Sequence, residues 1–303
     1  MKRFVELSTS HPTTVCIVDL HALTSVQEKQ ALEEYSISLG AAYLALGLNP
    51  ETTCIFRQSD VPEVCELTWY LSCQFPLGLL ERAHALKDTR AKGKNANSGI
   101  MFYPILMAAD ILLNRADLVP VGADQKQHLE MTREVAQKFN ARFGNIFPIP
   151  EPLIEESTGV IPGIDGQKMS KSYDNYIGLF LPEKKLRKKV MSIVTDSKSV
   201  EDKKDPENCN VFKLYKFFAS SEEQNELAER YRAGGMGYGE AKQTLFEALN
   251  KELAPLRSSY ESWISRPDDL RDVLASGGRS AGIRAKETIG LVREAIGLGD
   301  YLR

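Results

Sequence analysis

Lys168-Met169-Ser170-Lys171-Ser172 places two ammonium groups and two hydroxyls within five residues. Gly163 and Gly166 lead into this segment, and Tyr173-Asp174-Asn175 follows it. Paired cations on a glycine-introduced loop suit a polyphosphate whose charge must be neutralised during a reaction. A generic Lys/Ser turn is usually just a solvated basic turn, but the complete five-residue word is more specific than that. Further on, Glu183-Lys184-Lys185-Leu186-Arg187-Lys188-Lys189 gathers five cations within two helical turns. Such a run is ordinarily a solvated face; the alternative is contact with nucleic-acid phosphates through Lys184, Lys185, Arg187 and Lys188.

Asp110 is the second chemical candidate. It lies in the apolar run Leu106-Met107-Ala108-Ala109-Asp110-Ile111-Leu112-Leu113. Met107 and Asp110, three apart, share a helical face. A carboxylate there is costly unless paired or hydrogen bonded. One reading is an ion pair with a Lys or Arg. The sharper one is a pocket for an apolar ligand carrying one N–H donor, with Met107 in its lining. Gly122-Ala123-Asp124-Gln125 stands where a strand pattern meets a helix pattern. Gly122 permits close backbone approach, and Asp124 either caps the helix or offers a carboxylate to a ribose hydroxyl. His21 follows the first strand at its carboxyl end, a ligand-facing place in a parallel sheet. His128 reads as scaffold, and Trp69 and Trp263 read as helical packing.

These residues need elements to hold them. Thr14 to Asp19 is β-branched and apolar on both faces, the pattern of a central parallel strand. A helical pattern follows from Ser25, with Leu32, Tyr35, Leu39, Tyr43 and Leu44 near a 3.6-residue period, and stops at Gly47-Leu48-Asn49-Pro50. A second strand covers Thr53 to Arg57 and a third Leu118 to Val121, with helices between and after them. Lys87 to Gly99 reads as a flexible basic loop, and Pro148, Pro150 and Pro152 as an irregular stretch. Alternation of strand and helix predicts an α/β chain with a doubly wound, Rossmann-like parallel sheet. Past Pro182 helical patterns dominate. The expected partition is a catalytic domain over 1–182, a helical domain over 183–267, and a final helical segment over 268–303 that packs back on the first.

The 303 residues are 43% hydrophobic and 26% charged, ordinary globular composition. A net charge of -3 confines any nucleic-acid surface to a local patch. The five cysteines form no C-x-x-C pair and no zinc spacing, which predicts no protein metal site and fits a reducing cytoplasm. No apolar run reaches membrane-span length.

Lys168 to Ser172 matches the second signature of class I aminoacyl-tRNA synthetases. Tyr103-Pro-Ile-Leu-Met-Ala-Ala-Asp110, Val119-Pro-Val-Gly-Ala-Asp-Gln125, Cys16-Ile-Val-Asp-Leu-His21 and Gln58-Ser59-Asp60-Val61-Pro62 resemble the tryptophan-activating members in particular. The resemblance extends over essentially the whole chain and implies activation of L-tryptophan by ATP, carried with Mg2+, and transfer to tRNA(Trp). It implies that Asp110 accepts the indole N–H, with Met107, Tyr103, His21, Val119, Val121 and Gln125 around the amino acid. Gly122, Ala123 and Asp124 then hold the nucleoside with Ile161 beside the adenine. Met169, Ser170 and Ser172 accompany Lys168 and Lys171, the catalytic pair that neutralises pyrophosphate. A homodimer, with the helical domain on the anticodon, completes the implication.

One departure stands out. The family carries an earlier, glycine-rich signature after its first strand, whereas the first glycine here is Gly40. Met1 to Leu7 resembles the end of the helix that follows that signature, so the sheet is expected without its first strand. An unrecognised upstream start, a truncated gene and a non-catalytic tryptophan- or tRNA-binding paralogue are the three readings, with the first favoured because the other site residues are intact. Tyrosine activation is the alternative among enzymes.

Overall fold

The computed structural model describes residues 2–81, 97–154 and 161–299. Packing divides the chain into two units, residues 1–156 with 263–303, and residues 157–262. In the first unit α1 (Lys2–Ser8) leads into β1 (Thr13–Ile17), followed by α2 (Asp19–Ala22), α3 (Lys29–Ala45) and β2 (Thr53–Arg57). The two strands run parallel, Thr13 opposite Thr53 and Ile17 opposite Arg57. Then come α4 (Glu63–Ser72), α5 (Leu77–Glu81), α6 (Ser98–Leu113), β3 (Leu118–Val121), α7 (Lys126–Phe143) and β4 (Glu151–Ile154). β3 and β4 are also parallel, Val119 opposite Pro152. The α/β, Rossmann-like class holds, expressed as two parallel pairs. Among the described residues β1 pairs only with β2, and β3 only with β4.

Several local expectations need correction. β4 occupies a stretch read as irregular; Pro152 is tolerated because β4 has no second strand partner among the described residues. α3 buries Ser36, Gly40, Ala41 and Leu44, while Tyr35 and Leu39 are exposed. The buried stripe is made of small residues, one step around the helix from the bulky ones. Trp69 is 68% exposed on α4 and packs no core. Of the basic stretch 87–99, only Asn97 to Gly99 are described. There Asn97 caps α6, its side chain accepting from the Ile100 N–H at 3.1 Å.

The second unit is helical: α8 (Glu183–Met191), α9 (Asn210–Tyr215), α10 (Ser221–Ala233) and α11 (Tyr238–Ile264), whose last residues pass the unit boundary. α10 starts with a reciprocal capping box between Ser220 and Glu223. Leu186, Val190, Phe212, Leu227, Tyr231 and Leu245 build its core. Ile164, Met169, Ile177 and Leu181 pack on that core. The lysine-serine loop therefore groups with the helices, whereas the expected partition placed it in 1–182. The apolar residues flanking the two lysines account for the difference.

α12 (Pro267–Ala295) returns to the first unit and lies on β2. Gly277 makes this approach feasible: a Cβ there would overlap the Ile55 carbonyl. Cys54 Sγ donates to the Gly277 carbonyl at 3.3 Å. Ala281, Ala285, Ile289 and Val292 complete the core formed by Phe56, Leu67, Ile105, Leu112 and Val135.

Candidate active site

The parallel register sets the carboxyl ends of β1 and β2 side by side, Ile17 against Arg57. Each chain then turns at once, into α2 at Asp19 and into a 3-10 turn over Gln58–Asp60. The turns are tied together. Asp19, nearly buried, accepts from the Ser59 N–H at 2.9 Å, the Ser59 hydroxyl at 2.5 Å and the Leu20 N–H at 3.0 Å. The His21 N–H donates to Gln58 Oε1 at 3.3 Å.

α6 brings Tyr103, Met107 and Asp110 to this junction. Gln58, 1% exposed, donates from Nε2 to both Asp110 oxygens, at 2.9 and 2.8 Å. His21 Nε2 lies 3.1 Å from Asp110 Oδ2. Among the described residues the partners of the helix carboxylate are thus an amide and an imidazole, with no Lys or Arg paired to it. Burial pushes the Asp110 carboxyl above the usual carboxylate range; His21 and Gln58 oppose that push, and the nearby Asp19 adds to it. The rings of His21 and Tyr103 meet edge to face, 6.2 Å between centroids. The Tyr103 hydroxyl hydrogen bonds His128 Nε2, which supports a scaffold role for buried His128. Met107 is half-buried.

β3 delivers the next group. Val119 and Val121 are half-buried, and Gly122, Ala123, Asp124 and Gln125 turn into α7 through a short 3-10 segment. Gly122 has extended backbone, and a Cβ there would stand 2.6 Å from Asp124 Oδ1. Asp124 is exposed and does not cap α7; its Oδ2 accepts from Gln125 Nε2 at 3.2 Å. That leaves Asp124 facing solvent for a polar ligand. A cavity of about 700 Å3 opens onto Asp110 and runs between β1 and β3, lined by Val15, Cys16, Val119 and Pro120.

In the second unit the lysine-serine loop starts at Ile161, which is 43% exposed. Pro162 and Lys168 form an antiparallel bridge, and the Met169 N–H donates to the Ile161 carbonyl at 2.9 Å. Lys168 and Lys171 are exposed, and neither is ion-paired among the described residues. The Ser170 hydroxyl caps the turn Lys171–Tyr173 by accepting from the Ser172 N–H at 3.2 Å. Met169 points the other way, onto the helical core. On α8, Lys184, Lys185 and Lys188 are exposed, while Arg187 donates to Gln243.

Structure therefore joins His21, Tyr103 and Asp110 by direct contact, and it groups the residues after β3. Gln58, Asp19 and Ser59 were not assigned roles from sequence. Their signals were position, at the carboxyl ends of parallel strands, and membership of the two segments that resemble the family. No group of three His, Cys, Asp or Glu side chains able to hold a metal occurs among the described residues. No described helix is long and apolar enough to cross a membrane.

Comparison with known proteins adds a separate line of support. The family described as tRNA synthetases class I (W and Y) matches residues 1–254. The tryptophan--tRNA ligase of Fusobacterium nucleatum is 47% identical over 98% of this chain and 92% of its own length. That of Rhodopirellula baltica is 44% identical over 98% and 93%. The solved structure of Campylobacter jejuni tryptophanyl-tRNA synthetase, complexed with ADP and tryptophane, superimposes with a TM-score of 0.94 at 45% identity, covering 98% of this chain and 93% of that one.

Proposed function

Because this chain belongs to the class I tRNA synthetases of the tryptophan and tyrosine family, we propose that it is a tryptophan--tRNA ligase. The tryptophan carboxylate attacks the α-phosphorus of ATP, the bond to the β-phosphate oxygen breaks, and pyrophosphate leaves. A hydroxyl of the terminal ribose of tRNA(Trp) then attacks the activated carbonyl, and AMP leaves.

The observation that carries the choice of amino acid is the Asp110 carboxylate, held by Gln58 and His21. An ionised carboxylate only accepts, and an indole N–H only donates. A phenol presents lone pairs as well as a proton and calls for a donor too, so the site favours tryptophan over tyrosine. Tyr103, Met107, Val119, Val121 and Gln125 line the amino-acid side. Gly122, Ala123, Asp124 and Ile161 take the nucleoside. Lys168 and Lys171, exposed and free of ion pairs among the described residues, neutralise the departing pyrophosphate. Mg2+ supplies charge compensation on the phosphates when bound. Lys184, Lys185, Arg187 and Lys188 contact tRNA phosphates, and the enzyme works as a cytoplasmic homodimer.

The test is tryptophan-dependent ATP–pyrophosphate exchange. Exchange with tyrosine in place of tryptophan would contradict the specificity. Saturable tryptophan binding with no exchange would contradict turnover and leave a tryptophan-binding protein.

A further inference from the structure

Asn175 lies three residues past the lysine-serine word and is 2% exposed. Both of its amide hydrogens and its oxygen are engaged. Nδ2 donates to Asp165 Oδ1 at 2.8 Å and to the Lys168 carbonyl at 3.0 Å. Oδ1 accepts from the Ser170 N–H at 2.7 Å. Its backbone carbonyl accepts from the Ile164 N–H at 2.9 Å. One planar group therefore reads the backbone on both sides of Met169 and pins the turn that begins the loop.

Other bonds hold the two ends of this stretch: the bridge at Lys168 with the Gly163 and Met169 N–H bonds before it, and the Ser170 cap with the Tyr173 and Asp174 turn bonds after it. The Ser170 N–H and the Lys168 carbonyl between them are met by Asn175. Met169 packs inward and Lys168 and Lys171 project outward. Turning the Lys168 carbonyl or the Ser170 N–H would redirect both lysines. The chemistry required is two donors and one acceptor at fixed spacing, which an asparagine amide offers. Aspartate would lose both donors and face the Asp165 carboxylate; glutamine is one methylene too long. Gly163 is shaped to receive the amide: a Cβ there would overlap it and stand 2.8 Å from the Asn175 carbonyl.

We propose that Asn175 is the positioning residue for Lys168 and Lys171, its amide setting the loop backbone so that both ammonium groups present themselves together to a pyrophosphate group. This rests on the proposed role of the two lysines. Misplacing a charge-stabilising group by about 1 Å costs on the order of 100-fold in rate.

The experiment compares the full chain with Asn175→Ala, the isosteric Asn175→Asp, and Gly163→Ala, which displaces the amide without removing it. The expected result is a fall in kcat for tryptophan-dependent exchange of about 10- to 100-fold in all three, with KM for tryptophan within about twofold and the unfolding midpoint retained in at least one. Two readouts do not depend on turnover. One is the calorimetric affinity for Mg2+-pyrophosphate, expected to drop in the variants as it does in Lys168→Ala. The other is hydrogen exchange at the Ser170 amide, slow in wild type and fast in the variants. Unchanged kcat in Asn175→Asp and Gly163→Ala would overturn the proposal. So would a Ser170 amide that exchanges as fast in wild type as in Asn175→Ala. A wild type that holds pyrophosphate through a protected loop but never exchanges would instead remove the synthetase reading and leave the clamp standing.

Discussion

Gln58 Nε2 donates to both carboxylate oxygens of Asp110, joining the end of a strand to the middle of a helix 52 residues away. Gln58 is almost wholly buried, so a substitution there disturbs the carboxylate before it disturbs solvent contacts. Hydrogen bonds to charged groups contribute about 1.5–3 kcal/mol. Gln58→Leu is expected to raise KM for tryptophan by about 10- to 100-fold while leaving KM for ATP within a factor of about two. Initial rates of exchange at varied tryptophan and ATP measure both.

Removing the acceptor itself is more selective. Asp110→Ala is expected to lower kcat/KM for tryptophan by about 100-fold or more, with ATP affinity little changed. Equal losses for the two substrates would refute the role of Asp110 as the indole acceptor.

The same carboxylate predicts two opposite pH effects. Burial raises its proton affinity in the folded chain. Over the interval between its unfolded and folded values, the folded chain holds a proton that the unfolded chain has released. Stability from that proton is full at low pH and is lost as pH rises through the folded value. Tryptophan recognition runs the other way, because an acceptor for the N–H exists only above the folded value. Wild-type kcat/KM for tryptophan should therefore fall as pH drops through the folded value, which burial places above the ordinary carboxylate range, and Asp110→Asn should be lower but flatter. His21 and Asp19 also face this group. A fall of the same size in Asp110→Asn would refute the assignment to this carboxylate.

Away from the site, Arg293 grips Glu66 through two bonds of 2.6 Å, and the Tyr70 hydroxyl donates a third to the same carboxylate. The pair ties α12 to α4. Arg293 holds the Glu66 carboxyl below its usual range, with Tyr70 assisting. Its contribution is present above the unfolded value of the carboxyl and is lost as pH falls through the folded one. With both side chains partly exposed, Arg293→Ala should cost about 1 kcal/mol near neutral pH. Urea midpoints of the variant and wild type should converge in acid.

Two glycines of α12 make a matched pair. A Cβ at Gly277 would enter the Ile55 carbonyl, whereas one at Gly282 meets nothing within 4 Å. Gly277→Ala should destabilise by about 3 kcal/mol through overpacking. Gly282→Ala should stabilise by about 0.5–1 kcal/mol, as alanine does in a helix interior. Thermal unfolding of the two variants reads the difference directly.

How much of this was legible in the sequence depended on the range of the interaction. β1, β2 and β3 followed from short apolar and β-branched runs, and the helical character past Pro182 from its patterns, since these signals are local. β4 escaped because proline is a strong local argument against a strand, and pairing with β3 overrides it. α3 was read correctly at Leu44 but not at Tyr35 and Leu39, because bulky residues dominate a hydrophobicity pattern, whereas Gly40 lies against Leu270 and Leu274 of α12, more than 200 residues on. Asp110 announced itself as a carboxylate on an apolar helix. Its partners His21 and Gln58, 89 and 52 residues away, could be located only by folding the chain.

Among the described residues β1 and β3 each pair on one side only, and this has a consequence for handling the protein. A strand side without a neighbour is a row of N–H and C=O groups seeking a partner, and such rows recruit strands from other chains. Here they sit on either side of a cavity whose lining includes Arg115, Asp117 and Arg284, and Leu118 is half exposed beside them. Colloidal behaviour should follow: turbidity and light scattering that climb with concentration, and a solubility more sensitive to added strand-forming peptide than a net charge of -3 would suggest.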